Sequence, residues 1–100
     1  MDLPIACNLP DAEFQARRAA VLKTIKAAVV EVKELGNGYA YRFPSDESWL
    51  PKLTQLIAAE RACCPFLRFN LRLEPSGGPI WLELTGPEGT KDFLHSLFSA

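Results

Sequence analysis

The feature that most constrains this chain is an apolar–polar alternation with a period of two. Tyr39, Tyr41 and Phe43 alternate with Ala40 and Arg42. Leu67, Phe69, Leu71 and Leu73 alternate with Arg68, Asn70 and Arg72. Ile80, Leu82 and Leu84 alternate with Trp81, Glu83 and Thr85, and Val30-Glu31-Val32-Lys33 is a shorter run of the same kind. Successive side chains of a strand point to opposite sides, so each run predicts a strand with one apolar face. A sheet with helices against that face buries all of them at once.

Turn chemistry joins the strands in pairs. Gly36-Asn37-Gly38 separates the first two, and both residue types tolerate the positive φ of tight hairpins. Pro75-Ser76-Gly77-Gly78-Pro79 separates the last two as a loop. Phe14, Val21, Leu22, Ile25, Ala28 and Val29 recur at helical spacing and predict a helix over 10–26. Asn8 with Asp11 resembles a capping arrangement there, and Pro10 suits a first turn. The other face of that helix carries Arg17, Arg18, Lys23 and Lys26 and reads as solvated.

A second helix follows Pro44-Ser45-Asp46-Glu47-Ser48, with Ser48 as the expected N-cap and Pro51 in the first turn. Pro65 ends it at Cys63 or Cys64, because the residue before proline is pushed out of the α region. Gly86-Pro87-Glu88 opens a third helix whose apolar side is Phe93, Leu94, Leu97 and Phe98. The expected fold is a single α+β domain over residues 1–100, in the order α-ββ-α-ββ-α. It has a four-stranded, mostly antiparallel sheet with helices packed on one face. The two ββα units are faintly alike: Tyr41-x-Phe43-Pro44 leads into one helix and Leu82-x-Leu84-Thr85-Gly86-Pro87 into the other. Two copies of one unit would pack about a pseudo-twofold axis.

The chain has 100 residues, enough to bury a core without disulfides or metals. Its net charge of -1, with charges interspersed, provides no basic field for nucleic acid or an anionic membrane. Its start, Met1-Asp2-Leu3-Pro4-Ile5, has no positive and long apolar signal pattern, and no apolar run nears the ~18 residues of a membrane span. A cytoplasmic setting is expected. The cysteines number three, two of them adjacent, unlike a disulfide framework, so all three are expected as thiols.

The chemistry concentrates in the second helix. On a wheel of about 100° per residue, Trp49, Leu53, Leu56 and Ile57 share one side. Glu60 falls within that apolar arc, with Cys63 and Cys64 one turn further on. A carboxylate and two thiols are thus aimed at the interior, and an unpaired buried carboxylate is costly. Local conflicts of this kind tend to mark functional sites.

Three readings follow. In the first, Cys63 and Cys64 are small core residues and Glu60 bonds Arg17, Arg18, a tyrosine hydroxyl or a backbone N–H. In the second, thiolates hold a soft metal ion (Hg, Zn or Cu), with Cys7 as a possible third ligand. The lack of Cys-x-x-Cys pairs and the position of the one histidine, His95, in the last helix argue against a structural zinc site. In the third, one cysteine is a nucleophile or redox thiol. A helix C-terminus and a carboxylate both favour the protonated thiol, and no partner histidine is evident.

The far side of the sheet is expected to show Arg68, Asn70, Arg72, Trp81, Glu83 and Thr85. An exposed Trp81 there would suit an interaction or homodimerisation module. The plainer alternative is a solvated face on which Arg68 or Arg72 pairs with Glu83 across strands.

Glu60-x-x-Cys63-Cys64-Pro65-Phe66-x-x-Phe69-x-Leu71, followed by Leu82-x-Leu84-Thr85-Gly86-Pro87-Glu88-Gly89, resembles a family of short, uncharacterised bacterial proteins. It also resembles tails on some mercury-resistance-type transcription regulators. The likeness extends to Cys7-x-Leu9 and Gly38-Tyr39-x-Tyr41-x-Phe43. The resemblance implies a link to thiophilic metals, with Cys7, Cys63 and Cys64 as ligands, and it does not imply transcription control. The expected function is therefore non-enzymatic binding of a soft metal ion through Cys7, Cys63 and Cys64, with Glu60 as a weak ligand or supporting group. A homodimeric interaction module, with the cysteines as core residues, is the alternative. Neither nucleic acid nor a membrane is an expected partner.

Overall fold

A computed structural model describes residues 12–98. Helix α1 (Ala12–Ala28) leads into strands β1 (Glu31–Leu35) and β2 (Gly38–Phe43). Helix α2 (Trp49–Cys63) follows, then strands β3 (Arg68–Leu73) and β4 (Ile80–Thr85) and helix α3 (Thr90–Phe98). The strands form one sheet in the order β1-β2-β4-β3, every neighbouring pair antiparallel. The second strands of the two hairpins pair at the centre, the arrangement that a twofold relation between two ββα units would produce. The expected order and sheet are thus found.

The register sorts the strand residues into two faces. Tyr41, Phe43, Ile80, Leu82 and Leu84 point inward and are buried with Leu22 and Ile25 of α1, Leu53 and Leu56 of α2 and Leu94 of α3. All three helices therefore cover one face, the one on which β2 and β4 present their large apolar side chains. None of the described helices is long and apolar enough to cross a membrane.

The other face carries the expected residues, with one correction. Trp81 lies between Arg42 of β2 and Arg72 of β3, and Glu83 between Ala40 and Asn70. Glu83 accepts hydrogen bonds from Arg72 Nη1 at 2.8 Å and from Asn70 Nδ2 at 3.1 Å, the cross-strand pairing of a solvated face. Trp81 is not exposed, however, retaining only 6% of its accessible surface. Lys33 Nζ lies 4.8 Å from its ring centre and the Arg72 guanidinium carbon 5.9 Å. The charged ends of Lys33, from β1, and Arg72, from β3, thus sit over the indole as cation–π partners.

Local signals are corrected in three places. Helix α1 continues to Ala28, past the expected end at 26. The capping residues expected before it, Asn8, Pro10 and Asp11, lie outside the described residues. Ser48 is already in the α region and its side chain caps nothing. Asp46 caps instead: its Oδ1 accepts the Ser48 N–H at 3.0 Å and its carbonyl the Trp49 N–H at 3.0 Å. That backbone hydrogen bond holds the Asp46 carboxyl below its ordinary pKa. Finally, α3 starts at Thr90, after a turn in which Gly89 takes φ 97°.

One glycine is required by close approach. A Cβ on Gly38 would sit 1.9 Å from the Leu84 carbonyl oxygen, so backbone must move to admit one. Gly38→Ala should destabilise the fold by about 3 kcal/mol or more, well above an ordinary surface change. Chemical denaturation of the two proteins checks this, with Gly36→Ala, which meets nothing within 4 Å, as the control.

Candidate metal centre

Helix α2 buries Leu53, Leu56, Glu60 and Cys63, four positions separated by three or four residues, so they form one line down the helix. Cys64 is the first residue beyond that helix, with φ -124° and ψ 74°. Pro65 explains the exit, since it denies the α region to its predecessor. Consecutive side chains diverge by about 100° in a helix, and leaving it turns Cys64 back toward Cys63. The two Sγ atoms lie 3.8 Å apart, and neither residue has accessible surface. The Cys64 N–H still donates to the Glu60 carbonyl at 2.6 Å, which ties the turn to the helix end.

Glu60 retains 2% of its accessible surface. Its charge is met by Arg18 of α1, which donates from Nη2 to Oε1 at 2.8 Å and from Nε to Oε2. Both prongs of the guanidinium are used, the strongest form of carboxylate pairing. The same Nη2 lies 3.9 Å from Cys64 Sγ, and Cys63 donates its thiol hydrogen to Glu60 Oε2 at 3.3 Å. Burial pushes the Cys63 thiol up to a pKa of about 11, with help from the negative Glu60; Arg18 offsets part of this. Burial works against the Arg18 charge, but the Glu60 hydrogen bond and charge outweigh it and hold Arg18 above its ordinary value.

The ligand atoms of Glu60, Cys63 and Cys64 all lie within 4.8 Å of one another, and all three residues are buried. A carboxylate oxygen and two sulfurs at that spacing are a donor set able to hold a metal ion. Cys7, the third expected sulfur ligand, lies outside the described residues. The expectation of three thiols is corrected at Cys64. It is disulfide-bonded, while Cys63 is a free thiol. An odd cysteine count does not exclude one pair, and which sulfurs meet is decided by the fold and not by spacing along the chain.

Arg18, one of the partners expected for Glu60, belongs to the site although its helix face reads as solvated in the sequence. The available signal was its position four residues before Leu22 and seven before Ile25, both core residues. Outside it, Arg17, Arg18, Val21, Gln55 and Ala59 line a groove of about 310 Å³ between α1 and α2. His95 is exposed on α3 and is not part of the cluster. Comparisons with protein-family models, with curated proteins and with solved structures find no match to this chain.

Two outcomes follow from this geometry. Glu60→Gln removes the buried negative charge that faces the Arg18 guanidinium and should cost about 3–5 kcal/mol in denaturant unfolding, with part of the loss recovered in Arg18→Met/Glu60→Gln. The raised pKa of Cys63 means that the folded chain holds this proton more tightly than the unfolded chain. That contribution to stability is full below the unfolded thiol value of about 8.5 and is lost as the pH rises toward about 11. Urea midpoints taken from pH 7 to 11 should decline in the upper part of this range, and less steeply in Cys63→Ala.

Proposed function

We propose that the protein, with Cys64 reduced, binds a thiophilic metal ion through Cys63 and Cys64, with Glu60 as a weak ligand or supporting group. The observation that carries this reading is the buried convergence of two sulfurs and a carboxylate within 4.8 Å. Thiolates select soft ions such as Hg(II), Zn(II) and Cu(I). Glu60 accepts the Cys63 thiol hydrogen at Oε2, so an ion that replaces this hydrogen meets the same oxygen. Cys7 as a further ligand rests on the resemblance of the Glu60-x-x-Cys63-Cys64-Pro65-Phe66 stretch to a bacterial family linked to thiophilic metals. A reducing, cytoplasmic setting suits this chemistry, because Cys64 offers a thiolate only when its disulfide is open.

Two competing readings lose support. A nucleophilic cysteine wants a depressed pKa, and that of Cys63 is raised. A homodimer formed through the sheet would turn on Trp81, which Lys33 and Arg72 cover.

Titration of the reduced protein with Hg(II), Zn(II) or Cu(I) tests the proposal. A thiolate-to-metal absorbance band should grow to one equivalent and vanish in Cys63→Ser/Cys64→Ser. The oxidised protein should show little of it. Absence of the band from the reduced native protein ends the proposal.

A further inference from the structure

A cavity of about 100 Å³ lies on the inner face of the sheet, between the end of α1, the β1–β2 hairpin and α3. It shares no residue with the Glu60, Cys63 and Cys64 cluster. Val32 of β1 stands opposite Tyr41 of β2, so both belong to the apolar side of the sheet. Tyr41 is covered, whereas Val32, on the edge strand, keeps 53% of its surface, and the cavity opens to solvent there.

The walls are apolar and aromatic. Tyr39 and Tyr41 supply two rings 6.2 Å apart, and Phe98 of α3 stacks on Tyr41 at 4.6 Å. An enclosed cavity of ~150 Å³ takes a benzene molecule, so an open one of about 100 Å³ admits a single ring with its far edge at the mouth. Flat rings gain from offset or edge contact with aromatic neighbours at centre separations of ~4.5–7 Å.

Within this lining one polar group is unmatched. Tyr41 keeps 3% of its surface, and its hydroxyl makes no hydrogen bond with the described residues. The oxygen is not sealed off, since among the described residues only Thr90 Oγ1 is both enclosed and unpartnered. A buried tyrosine hydroxyl normally finds a partner, and here the cavity is where one can be supplied. Burial, aided by the neighbouring Tyr39, holds this phenol above its ordinary pKa, so it keeps its hydrogen at neutral pH and acts as a donor. Lys26 of α1 and His95 of α3 are the basic residues of the lining, and none of the described acidic residues joins them. The carboxylates of β1 are engaged elsewhere, Glu31 by Arg42 and Glu34 by Lys91. Lys26 has no ion-pair partner among the described residues, and its flexible four-carbon stem lets Nζ reach an anion at the mouth.

We propose that this cavity binds a monocyclic aromatic carboxylate. The ring lies against Tyr39, Tyr41 and Phe98, and the carboxylate accepts the Tyr41 hydrogen and faces Lys26. Benzoate is the probe, with benzyl alcohol as its uncharged counterpart. Amide shifts of the full-length chain, followed by NMR during titration into the millimolar range, should saturate with benzoate at Val29, Val32 and Leu94. Benzyl alcohol should bind about 10-fold more weakly, because hydrogen bonds to a charged group are the stronger kind. Tyr41→Phe removes only the hydroxyl. It should weaken benzoate by about 10-fold and leave the urea midpoint unchanged or higher, since no hydrogen bond within the protein is lost. Lys26→Met should weaken benzoate severalfold and leave benzyl alcohol unaffected. The absence of saturable shifts with benzoate overturns the proposal, as does equal binding of benzyl alcohol. Benzoate binding that survives both Tyr41→Phe and Lys26→Met overturns it too. A lower urea midpoint in Tyr41→Phe would give the hydroxyl a structural partner and overturn it as well.

Discussion

The paired charges of Arg18 and Glu60 allow the rest of this site to exist. A carboxylate on the apolar side of α2 would be intolerable alone, and both of its oxygens are engaged by one guanidinium from α1. The pair does more than neutralise. It sets where α1 lies against α2 beside the end of the helix, and it holds a carboxylate oxygen beside the Cys63 sulfur. Replacing it by apolar residues could leave the fold no less stable. Its place in the core is therefore better explained by the chemistry beside it than by stability.

The cysteines depend on a second constraint, the proline that follows them. Two adjacent residues inside a helix cannot bring their side chains together. Pro65 removes Cys64 from the helix, and the turn that results returns its sulfur to contact with Cys63. Sulfur contact and charge pairing thus meet at one helix terminus. Burial there raises the pKa of the Cys63 thiol, and Cys64 is disulfide-bonded.

The sheet supports this from below and leaves its outer face to solvent. On that face Glu83 joins Arg72 and Asn70, and Trp81 is roofed by Lys33 and Arg72. A tryptophan between charged residues in a sequence can be read as an exposed aromatic or as the floor beneath cationic stems. The alternation of the strand says which face it occupies but not what its neighbours do. The packed sheet settles that: β4 lies between β2 and β3, and Lys33 of β1 and Arg72 of β3 reach over the indole.

Much of the architecture was legible because it follows from local rules. Period-two alternation, the Gly36-Asn37 turn and the proline after Cys64 each act over a few residues, and they determined the element order, the apolar faces and the inward line of Glu60 and Cys63. The cap at Asp46 was missed because Ser48 and Asp46 are both competent acceptors, and only backbone angles distinguish them. The tertiary structure alone decided that Arg18, 42 residues from Glu60, is the partner, that Trp81 is covered and that Cys64 is disulfide-bonded. Those are contacts between distant segments. Periodicity says which way a side chain points, but the partner it meets depends on how the helices and strands are packed together.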